Sequence, residues 1–351
     1  MLAACGINGC VAREPGTIPM VVAAGHTESL LWIELLSKDF LPSIDRALAE
    51  RESPHRILWT EAYGGSLAKL GGVLEAMEEG LVDMGFVASV FEAPKLPLQN
   101  VTYLAPFGSP DTRLVTRVVM ALHDEIPAMN QTWADNNMKL LAGAAVDNYD
   151  LYTTFPVDSL DDIVGRKILA PGPAANWIRG TGAIAVAGTL ATYYNDLATG
   201  VADGALTLAT GVHGSRLNEV VPYMTRVDLG AHFAGGFAIN LDTWNALPPL
   251  VQEVFVAEGK AFTRRLAEAT EKRRAEVLAE LQAQGLQVSA LPASERRRWA
   301  HAIPNTAREW ARIHGARGLP AGEVVSAFIS RLRDAGVAVP RDWSAQEAAA
   351  R

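Results

Sequence analysis

Two stretches of the chain share one pattern: residues 75–87 read EAMEEGLVDMGFV, and residues 195–207 read NDLATGVADGALT. In each, a helix end is followed by a glycine, an apolar pair, an aspartate and a glycine-containing apolar strand. Glycine caps a helix well because it adopts left-handed backbone angles at little cost. The repeat predicts two similar α/β lobes, in which Asp83 and Asp203 accept hydrogen bonds from backbone amides at the turns.

Strands and helices alternate around the first copy. Residues 18–24, 56–60 and 82–90 are short apolar runs typical of buried parallel strands. Leucines recur at helical spacing after Thr27, a candidate N-cap, and again over residues 66–79. This order is typical of a right-handed parallel α/β layer.

The second copy lies within residues 165–204, which read as a strand, a Pro/Gly-rich bend, two helices and the start of another strand. The connecting elements are predicted as helices at 111–124 and 127–136 and strands at 138–146, 223–229 and 232–240. The last of these strands returns the chain to the first lobe. We interpret this order as two similar lobes rather than one long sheet.

A very long helical pattern runs from Pro248 to about Gln284. Proline in the first turn and Gly285 just beyond the end agree with helix termini. At roughly 1.5 Å per residue, such a helix would run the length of a two-lobed molecule. The elements after it are predicted as a strand at 286–291 and helical patterns at 293–312, with Pro304 inside, and at 322–335.

The 351 residues carry 31 basic and 39 acidic side chains, which gives a net charge of −8, and 49% of the residues are hydrophobic. This composition is typical of a globular protein and excludes the basic surface that a nucleic-acid partner requires. The length favours two domains or lobes. No run of roughly eighteen apolar residues predicts a membrane span.

Residues 2–5 (LAAC) fit a bacterial lipoprotein processing site, in which small residues precede the cysteine that carries the lipid. On this interpretation Cys5 is lipidated, and the charged and apolar parts of the signal lie upstream of it. The alternative is a fortuitous run of small residues. Cys5 and Cys10 are the only cysteines, so a disulfide core is excluded. Residues 6–17 read as a disordered spacer.

Ligands of open parallel sheets bind beyond the carboxyl ends of the strands. That rule nominates loop segments at residues 26–27, 61–63, 88–89 and 104–107 as the wall of a pocket. The candidate side chains that these segments contribute to a ligand site include Glu61, Tyr63, Ser89 and Phe107. The alternative for each of them is ordinary loop or core packing.

Residues 180–185 (GTGAIA) match a loose dinucleotide-binding fingerprint, with Asp203 further along the chain. The fingerprint needs a strand before its first glycine and a helix after its last. Here a helix-like segment precedes it and a strand-like segment follows, so an oxidoreductase is the weaker alternative. The sequence shows no nucleophile elbow, phosphate loop or metal-ligand spacing, and we predict no catalytic residue, metal or cofactor.

Several short segments form a recognisable series along the chain. In the first lobe they are 63–67 (YGGSL), 74–85 (LEAMEEGLVDMG) and 104–107 (LAPF). In the second they are 160–167 (LDDIVGRK), 170–172 (APG), 182–183 (GA) and 197–204 (LATGVADG), followed by Asn240, Trp244 and residues 247–248 (LP). The order and spacing of these segments resemble those in the solute-binding proteins of TRAP (tripartite ATP-independent periplasmic) transporters.

The resemblance implies an α/β, two-lobed periplasmic-binding-protein fold with hinge strands and one long helix bridging both lobes. The expected division is a lipoprotein-type N-terminus and spacer at 1–17, lobe I at 18–146 and about 232–270, lobe II at 147–231 and about 271–318, and a C-terminal helix and tail at 319–351. The implied function is a periplasmic receptor, not an enzyme, that captures a small organic solute between its lobes. It would deliver the solute to TRAP membrane permease subunits, with a lipid anchor at Cys5. The alternative within binding proteins is a receptor for a signalling partner.

Members of this family usually carry an arginine two residues before the proline of the segment GRKILAPG, where it binds a substrate carboxylate bidentately. In this chain that residue is Leu169. In one interpretation Lys167, on the same face of the strand, or Arg179 binds the carboxylate instead. In the other, which we favour, the solute is neutral or less acidic, and Leu169, Trp177 and Tyr149 offer it an apolar or aromatic surface.

Two further positions follow from the resemblance. Asn148 and Tyr149 stand near the place of a second arginine that relatives often carry. Thr207 falls where relatives often make a polar contact through an amide. All three residues are expected to contact the ligand.

Overall fold

A computed structural model describes residues 15–344. The helices are α1 (Leu31–Leu35), α2 (Leu41–Glu50), α3 (Val73–Glu78), α4 (Val101–Leu104), α5 (Thr112–Glu125), α6 (Pro127–Ala134), α7 (Leu190–Ala198), α8 (Ala209–Gly214), α9 (Leu241–Ala246), α10 (Pro249–Ala283), α11 (Ala293–Ala302), α12 (Thr306–Gly315) and α13 (Ala321–Asp334). The strands are β1 (Thr17–Ala24), β2 (Arg56–Ala62), β3 (Met84–Ala88), β4 (Met138–Thr153), β5 (Lys167–Ala170), β6 (Ile184–Ala187), β7 (Gly204–Leu208), β8 (Tyr223–Asn240) and β9 (Gln287–Ala290).

Within the described residues, the nine strands form one mixed sheet in the order β2-β1-β3-β8-β4-β7-β5-β6, with β9 paired to β8. Strand β1 pairs in parallel with β2 and β3, and β5 pairs in parallel with β6 and β7. Strands β4 and β8 pair antiparallel between these two groups. The two predicted lobes are confirmed, but the expectation of two separate sheets is wrong, because β4 and β8 run through both lobes.

The two central strands are longer than the sequence pattern indicates. The predicted strand at 138–146 continues to Thr153, and the predicted strands at 223–229 and 232–240 are one strand, β8. The register between β4 and β8 shifts between Val146 and Tyr149, where polar residues interrupt the apolar pattern. Because the antiparallel partner supplies backbone hydrogen bonds on both sides of this shift, the strands continue through it.

The repeated glycine and aspartate have the same roles in both lobes. Gly80 and Gly200 end α3 and α7 with φ values of +73° and +72°. Asp83 Oδ2 accepts a hydrogen bond from the Val21 amide of β1 at 2.7 Å, and Asp203 Oδ2 accepts one from the Lys167 amide of β5 at 2.8 Å. Each aspartate therefore joins the turn to a neighbouring parallel strand.

Three predicted helix boundaries are wrong for local reasons. The helix expected at 66–79 covers only α3, because turns at residues 64–72 contain glycines with positive φ. Thr27 does not cap α1, which begins at Leu31 after Leu30. The pattern at 293–312 divides into α11 and α12 around Pro304, which removes a backbone donor and disfavours a helical residue before it.

The long helix α10 spans 35 residues and contacts α2 and α5 of lobe I as well as α8 of lobe II. Arg265 Nε lies 2.9 Å from Asp39 Oδ2 in lobe I, and Glu280 Oε2 lies 3.3 Å from His213 Nε2 in lobe II. The predicted helix bridging both lobes is confirmed.

Over residues 15–344, none of the helices combines the length and apolar character needed to cross a bilayer. In the same part of the chain, histidine, cysteine and acidic side chains form no group able to hold a metal ion. The predicted lipidation of Cys5 falls outside the described residues.

The approach of α10 to the sheet depends on Gly259, since an ideal Cβ at that position would lie 2.2 Å from the Leu141 carbonyl oxygen of β4. We expect Gly259→Ala to lower the free energy of unfolding by about 1–3 kcal/mol, despite alanine's higher helix propensity. Urea denaturation measures this change. The matched control is Gly322→Ala in α13, where a Cβ meets no atom within 4 Å; it should be neutral or stabilising by up to about 1 kcal/mol. Equal effects of the two substitutions would contradict the steric argument.

Candidate functional site

A small cavity of about 50 Å³ lies between the two lobes, at the end of the parallel strands. Its lining consists of His26, Trp32, Phe86, Ala88, Val90, Phe91, Tyr103, Val146, Tyr149, Pro171, Thr189, Leu190, Tyr193, Thr207, Leu208 and Ala234. The lobes also touch each other: an ideal Cβ on Gly172 would lie 2.7 Å from the Val90 carbonyl oxygen, and one on Gly214 would lie 3.0 Å from that of Ser29.

The wall from lobe I is aromatic. His26 follows β1, and its ring meets Trp32 of α1 edge-on, with 5.3 Å between centroids. The ring centroid of Phe86, on β3, lies 6.3 Å from that of Trp32 and 5.9 Å from that of His26. Burial lowers the pKa of His26 to about 4, so the imidazole is neutral at neutral pH. The Trp32 Nε1 atom is buried and has no hydrogen-bond partner among the described residues.

The wall on the hinge side is a group of stacked rings. Tyr103 of α4 stacks on Trp177 with 5.7 Å between centroids, and Tyr149 of β4 meets both rings edge-on. Trp177 Nε1 donates to the Tyr103 carbonyl oxygen at 2.7 Å, and Trp299 Nε1 donates to the Trp177 carbonyl oxygen at 2.7 Å. His232 of β8 stacks on Trp177 at 4.5 Å. These bonds and contacts hold lobe II rings against lobe I.

The wall from lobe II is formed by the bend after β5, the start of α7 and the end of β7. Thr189 precedes α7 and forms a capping box with Thr192, which fixes the start of that helix. Tyr193, one turn into α7, is 1% exposed, and its hydroxyl has no partner in the part of the chain that the structure describes. Thr207 on β7 adds a further hydroxyl to this wall.

A wider mouth opens from the cavity and shares His26, Phe91, Thr189 and Leu190 with it. Lys69 is the charged residue among those that line this mouth. Among residues 15–344, in contrast, no lysine, arginine, aspartate or glutamate lines the inner cavity. The site is therefore an aromatic, uncharged chamber with a single cation at its entrance.

The structure places Leu169 behind the lobe II wall rather than in it. Leu169 is fully buried in an apolar cluster with Tyr193, and both side chains approach Gly188. Lys167 is exposed at the far end of β5, and Arg179 is exposed with Nη1 3.3 Å from Asn176 Oδ1. Neither of these two predicted carboxylate partners lines the cavity. Lys167 lies outside it because β5 becomes buried only after this residue, and Arg179 follows the 3₁₀ helix beyond the strand.

The other predicted ligand-contacting residues divide into two groups. Tyr149 and Thr207 line the cavity; Ser89 lies beside the lining residues Ala88 and Val90, and Trp177 packs directly behind Tyr149. Glu61, Tyr63, Phe107 and Asn148 do not line it.

Each of these four outlying residues has a structural partner instead. Tyr63 donates to Glu61 Oε2 at 2.7 Å near the surface. Phe107, with φ +61°, packs under the Arg296 guanidinium. Asn148 holds the hinge together through hydrogen bonds to the opposite strand.

Sequence reasoning missed Trp32, Phe86, Tyr103 and Tyr193 as cavity residues. Each belongs to an apolar stretch that reads as ordinary core, so no signal separates a residue facing the core from one facing a cavity. The strand-end rule had nominated the segments containing His26 and Ala88, which do line the cavity.

The hinge is the part of β4 and β8 around the register shift, residues 146–150 and 227–232. Asn148 Oδ1 accepts from the Gly230 amide at 2.9 Å, and Asn148 Nδ2 donates to Asp150 Oδ2 at 2.8 Å. Asp150 Oδ1 accepts from the Val227 and Asp228 amides, each at 2.9 Å. These bonds replace the regular ladder where the two strands change register.

The dinucleotide-like segment has a structural role. A 3₁₀ helix (Gly172–Ile178) precedes it, and β6 begins at Ile184, so the strand-glycine-helix order of that fingerprint is absent there. Gly180 has φ +81°, and a Cβ on it would lie 2.1 Å from the Ala302 carbonyl oxygen. Gly180 therefore permits close packing against α11.

Comparison with known proteins gives one family and a shared fold. The model of the DctP family, described as bacterial extracellular solute-binding protein, family 7, matches residues 46–313. No curated protein matches the chain.

Several solved structures have a similar fold. DctP6 of Bordetella pertussis, an extracytoplasmic solute receptor binding pyroglutamic acid, has a TM-score of 0.79 and 18% identity over 90% of this chain and 100% of that chain. A marine metagenome TRAP solute-binding protein specific for aromatic acid ligands has a TM-score of 0.80 and 16% identity over 90% and 99%. A TRAP solute-binding protein of Rhodoferax ferrireducens T118 with copurified benzoate has a TM-score of 0.79 and 16% identity over 91% and 98%.

The free energy of unfolding is expected to depend on pH, because two carboxyl groups are buried at the hinge. Burial raises the pKa of Asp147 to about 6 and that of Asp150 to about 7. In the unfolded chain both titrate near ~4, so between about pH 4 and 7 the folded state holds more protons and stability falls as pH rises.

We expect Asp150→Asn to become more stable relative to the wild type as the pH rises through this window, because the variant has no carboxyl to ionise at this position. The difference in free energy of unfolding should change by on the order of 1 kcal/mol per pH unit and level off above the window. Urea denaturation from pH 4 to 8 measures the difference. The buried histidines are common to both proteins and cancel. The non-titrating substitution Thr116→Ser, whose hydroxyl can keep the hydrogen bond to the Thr112 carbonyl oxygen, should give an offset independent of pH, and the same flat profile for Asp150→Asn would contradict the argument.

Leu169→Arg is expected to create affinity for benzoate, because it introduces a buried guanidinium behind the cavity wall where a carboxylate can pair with it. The unpaired charge should lower stability by about 2–4 kcal/mol in the absence of ligand. Isothermal titration calorimetry measures the affinity. Leu169→Met is the packing control and should bind benzoate as the wild type does. A folded arginine variant without any gain would show that position 169 does not reach the cavity.

Proposed function

Because the chain belongs to the DctP family of bacterial extracellular solute-binding proteins, family 7, we propose that it captures a small organic solute in the interlobe cavity and delivers it to TRAP membrane permease subunits. On this proposal the protein is an extracytoplasmic receptor, not an enzyme. A lipid anchor at Cys5 remains part of the proposal.

The observation that carries the proposal is the position of the cavity. Its walls come from both lobes, with Trp32 and Phe86 on one side and Leu190 and Tyr193 on the other. The lobes are joined by continuous strands whose ladder is interrupted around residues 146–149. A solute that contacts both walls stabilises the closed arrangement relative to an open one. Closure is the change that a membrane partner can recognise.

The proposed ligand contacts are Tyr149, Thr207 and Ser89 from the sequence, together with His26, Trp32, Tyr103 and Tyr193 from the structure. The similar structures bind pyroglutamic acid, an aromatic acid and benzoate. All three are small molecules that carry a ring, which suits a cavity lined by rings. We therefore propose a ring-containing organic solute for this chain too.

A receptor that reports solute to a signalling partner would have the same cavity and the same closure. Reconstitution distinguishes the two functions: proteoliposomes with the TRAP permease subunits should accumulate solute only when this protein is added. An oxidoreductase is the weakest alternative, and stabilisation by nicotinamide cofactors but by no organic solute would favour it.

The cavity assignment is tested with a variant that fills it. Solutes such as benzoate, metahydroxyphenylacetate, benzamide and pyroglutamate are screened by thermal unfolding. A solute that binds and is present at 100 times its Kd should raise the free energy of unfolding by about 2.7 kcal/mol. Ala234→Leu, on the cavity wall of β8, should abolish the stabilisation by any binder. The control is Val256→Phe in the open groove between α9 and α10, which should preserve it. Loss in the control and retention in Ala234→Leu would place the site elsewhere.

A further inference from the structure

We propose that the solute is uncharged, contains a ring, and carries a carbonyl-type acceptor that receives hydrogen bonds from Trp32 Nε1 of lobe I and the Tyr193 hydroxyl of lobe II. This inference rests on the proposed receptor function and concerns the chemistry of its cargo. It departs from the acids bound by the similar structures.

The first step is the charge of the chamber. None of the side chains that line the inner cavity is basic, and the one imidazole among them, His26, is neutral at neutral pH because burial lowers its pKa to about 4. A carboxylate enclosed there would lose its hydration without gaining a cationic partner, which is among the largest penalties in a protein interior.

The second step is the charge behind the wall. Asp147 is a buried carboxyl two residues before Tyr149, and it accepts hydrogen bonds from the Thr210 hydroxyl and amide at 2.6 and 3.2 Å. Arg274, the cation that acts on this carboxyl, does not line the cavity. A carboxylate in the chamber therefore meets no cation on this side either, whereas a neutral solute needs none.

The third step is the pair of unpartnered donors. Trp32 is 7% exposed and Tyr193 1%, and both line the cavity. Neither Trp32 Nε1 nor the Tyr193 hydroxyl has a hydrogen-bond partner within residues 15–344. An indole N–H only donates, so its missing partner is an acceptor. Buried polar groups are rarely left unpaired, and a ligand acceptor satisfies both atoms at once.

The fourth step is the shape of the remaining wall. Phe86, Phe91 and Tyr103 present rings, and Leu190 and Leu208 present aliphatic surface. Rings stack on or meet other rings edge-on at such walls, and their burial favours binding in proportion to apolar area. A flat ring with one acceptor uses the apolar surface and both donors.

Matched pairs that differ in one carboxylate test the inference: benzamide against benzoate, phenylacetamide against phenylacetate, and 2-pyrrolidone against pyroglutamate. Isothermal titration calorimetry at pH 7.5 on the whole chain gives each Kd. We expect the neutral member of at least one pair to bind at least tenfold more tightly than its acid. If, in every pair that binds, the acid binds as tightly as its neutral partner, the inference is overturned but the receptor function stands.

The donors are tested by Trp32→Phe and Tyr193→Phe, which keep the rings and remove the N–H or O–H. Each should weaken binding of the neutral probe about tenfold, the effect of one hydrogen bond. The matched control is Tyr194→Phe, next in the chain, whose exposed hydroxyl donates to Glu219 Oε2 at 3.0 Å; it should leave the Kd unchanged. Unchanged binding in both donor variants overturns their assignment.

The experiments also test whether a carboxylate binds at the mouth of the cavity instead of inside it. Lys69 at the mouth could pair with an acid whose ring lies in the chamber. Acid binding that is lost in Lys69→Met would establish that arrangement and overturn the neutral cargo. If neither member of any pair binds to the wild type, this inference fails. If a solute stabilises Ala234→Leu as much as it stabilises the wild type, the proposed cavity function fails as well.

Discussion

The antiparallel pairing of β4 with β8 is the interaction on which the rest of the structure depends. Both strands cross from one lobe to the other, and every other strand of the sheet is attached to them directly or through a neighbour. Their ladder breaks where Asn148 and Asp150 substitute side-chain hydrogen bonds for backbone ones. A pair of strands that is continuous but locally irregular can bend without losing its partners, as a hinge between two lobes requires.

The hinge and the cavity share residues, so under the proposed function solute binding and lobe closure would act on the same part of the chain. Tyr149 follows Asn148 directly: one side chain lines the cavity, and the other bonds to the opposite strand. Trp177 of lobe II donates to the Tyr103 carbonyl of lobe I and stacks on its ring. A solute that repositions these rings therefore acts at the place where the lobes turn. Burial of Asp147 and Asp150 beside it makes this region sensitive to pH.

Much of the fold could be predicted because it depends on local patterns. The Gly80 and Gly200 caps, the aspartates after them and the long helix α10 each leave a signature within a few turns of chain. The continuity of β8 could not be predicted, because Asp228 and Gly230 interrupt its pattern and only the partner strand compensates. In the site, the sequence predicts that Leu169 replaces the arginine of relatives. Its position behind Tyr193 could not be predicted, because it depends on how β5 packs against α7.

The sequence by itself determined the two α/β lobes, the bridging helix and the family resemblance, since these follow from periodicity, caps and the order of short motifs. Only the tertiary structure decided which aromatic residues face the cavity and which face the core, because both environments select the same apolar side chains. The tertiary structure also decided that Lys167 and Arg179 lie outside the cavity, while Trp32 and Tyr193 line it. Trp32 Nε1 and the Tyr193 hydroxyl have no hydrogen-bond partner among the described residues. Whether a side chain meets a ligand depends on the packing of elements distant in the chain, and no local pattern records that packing.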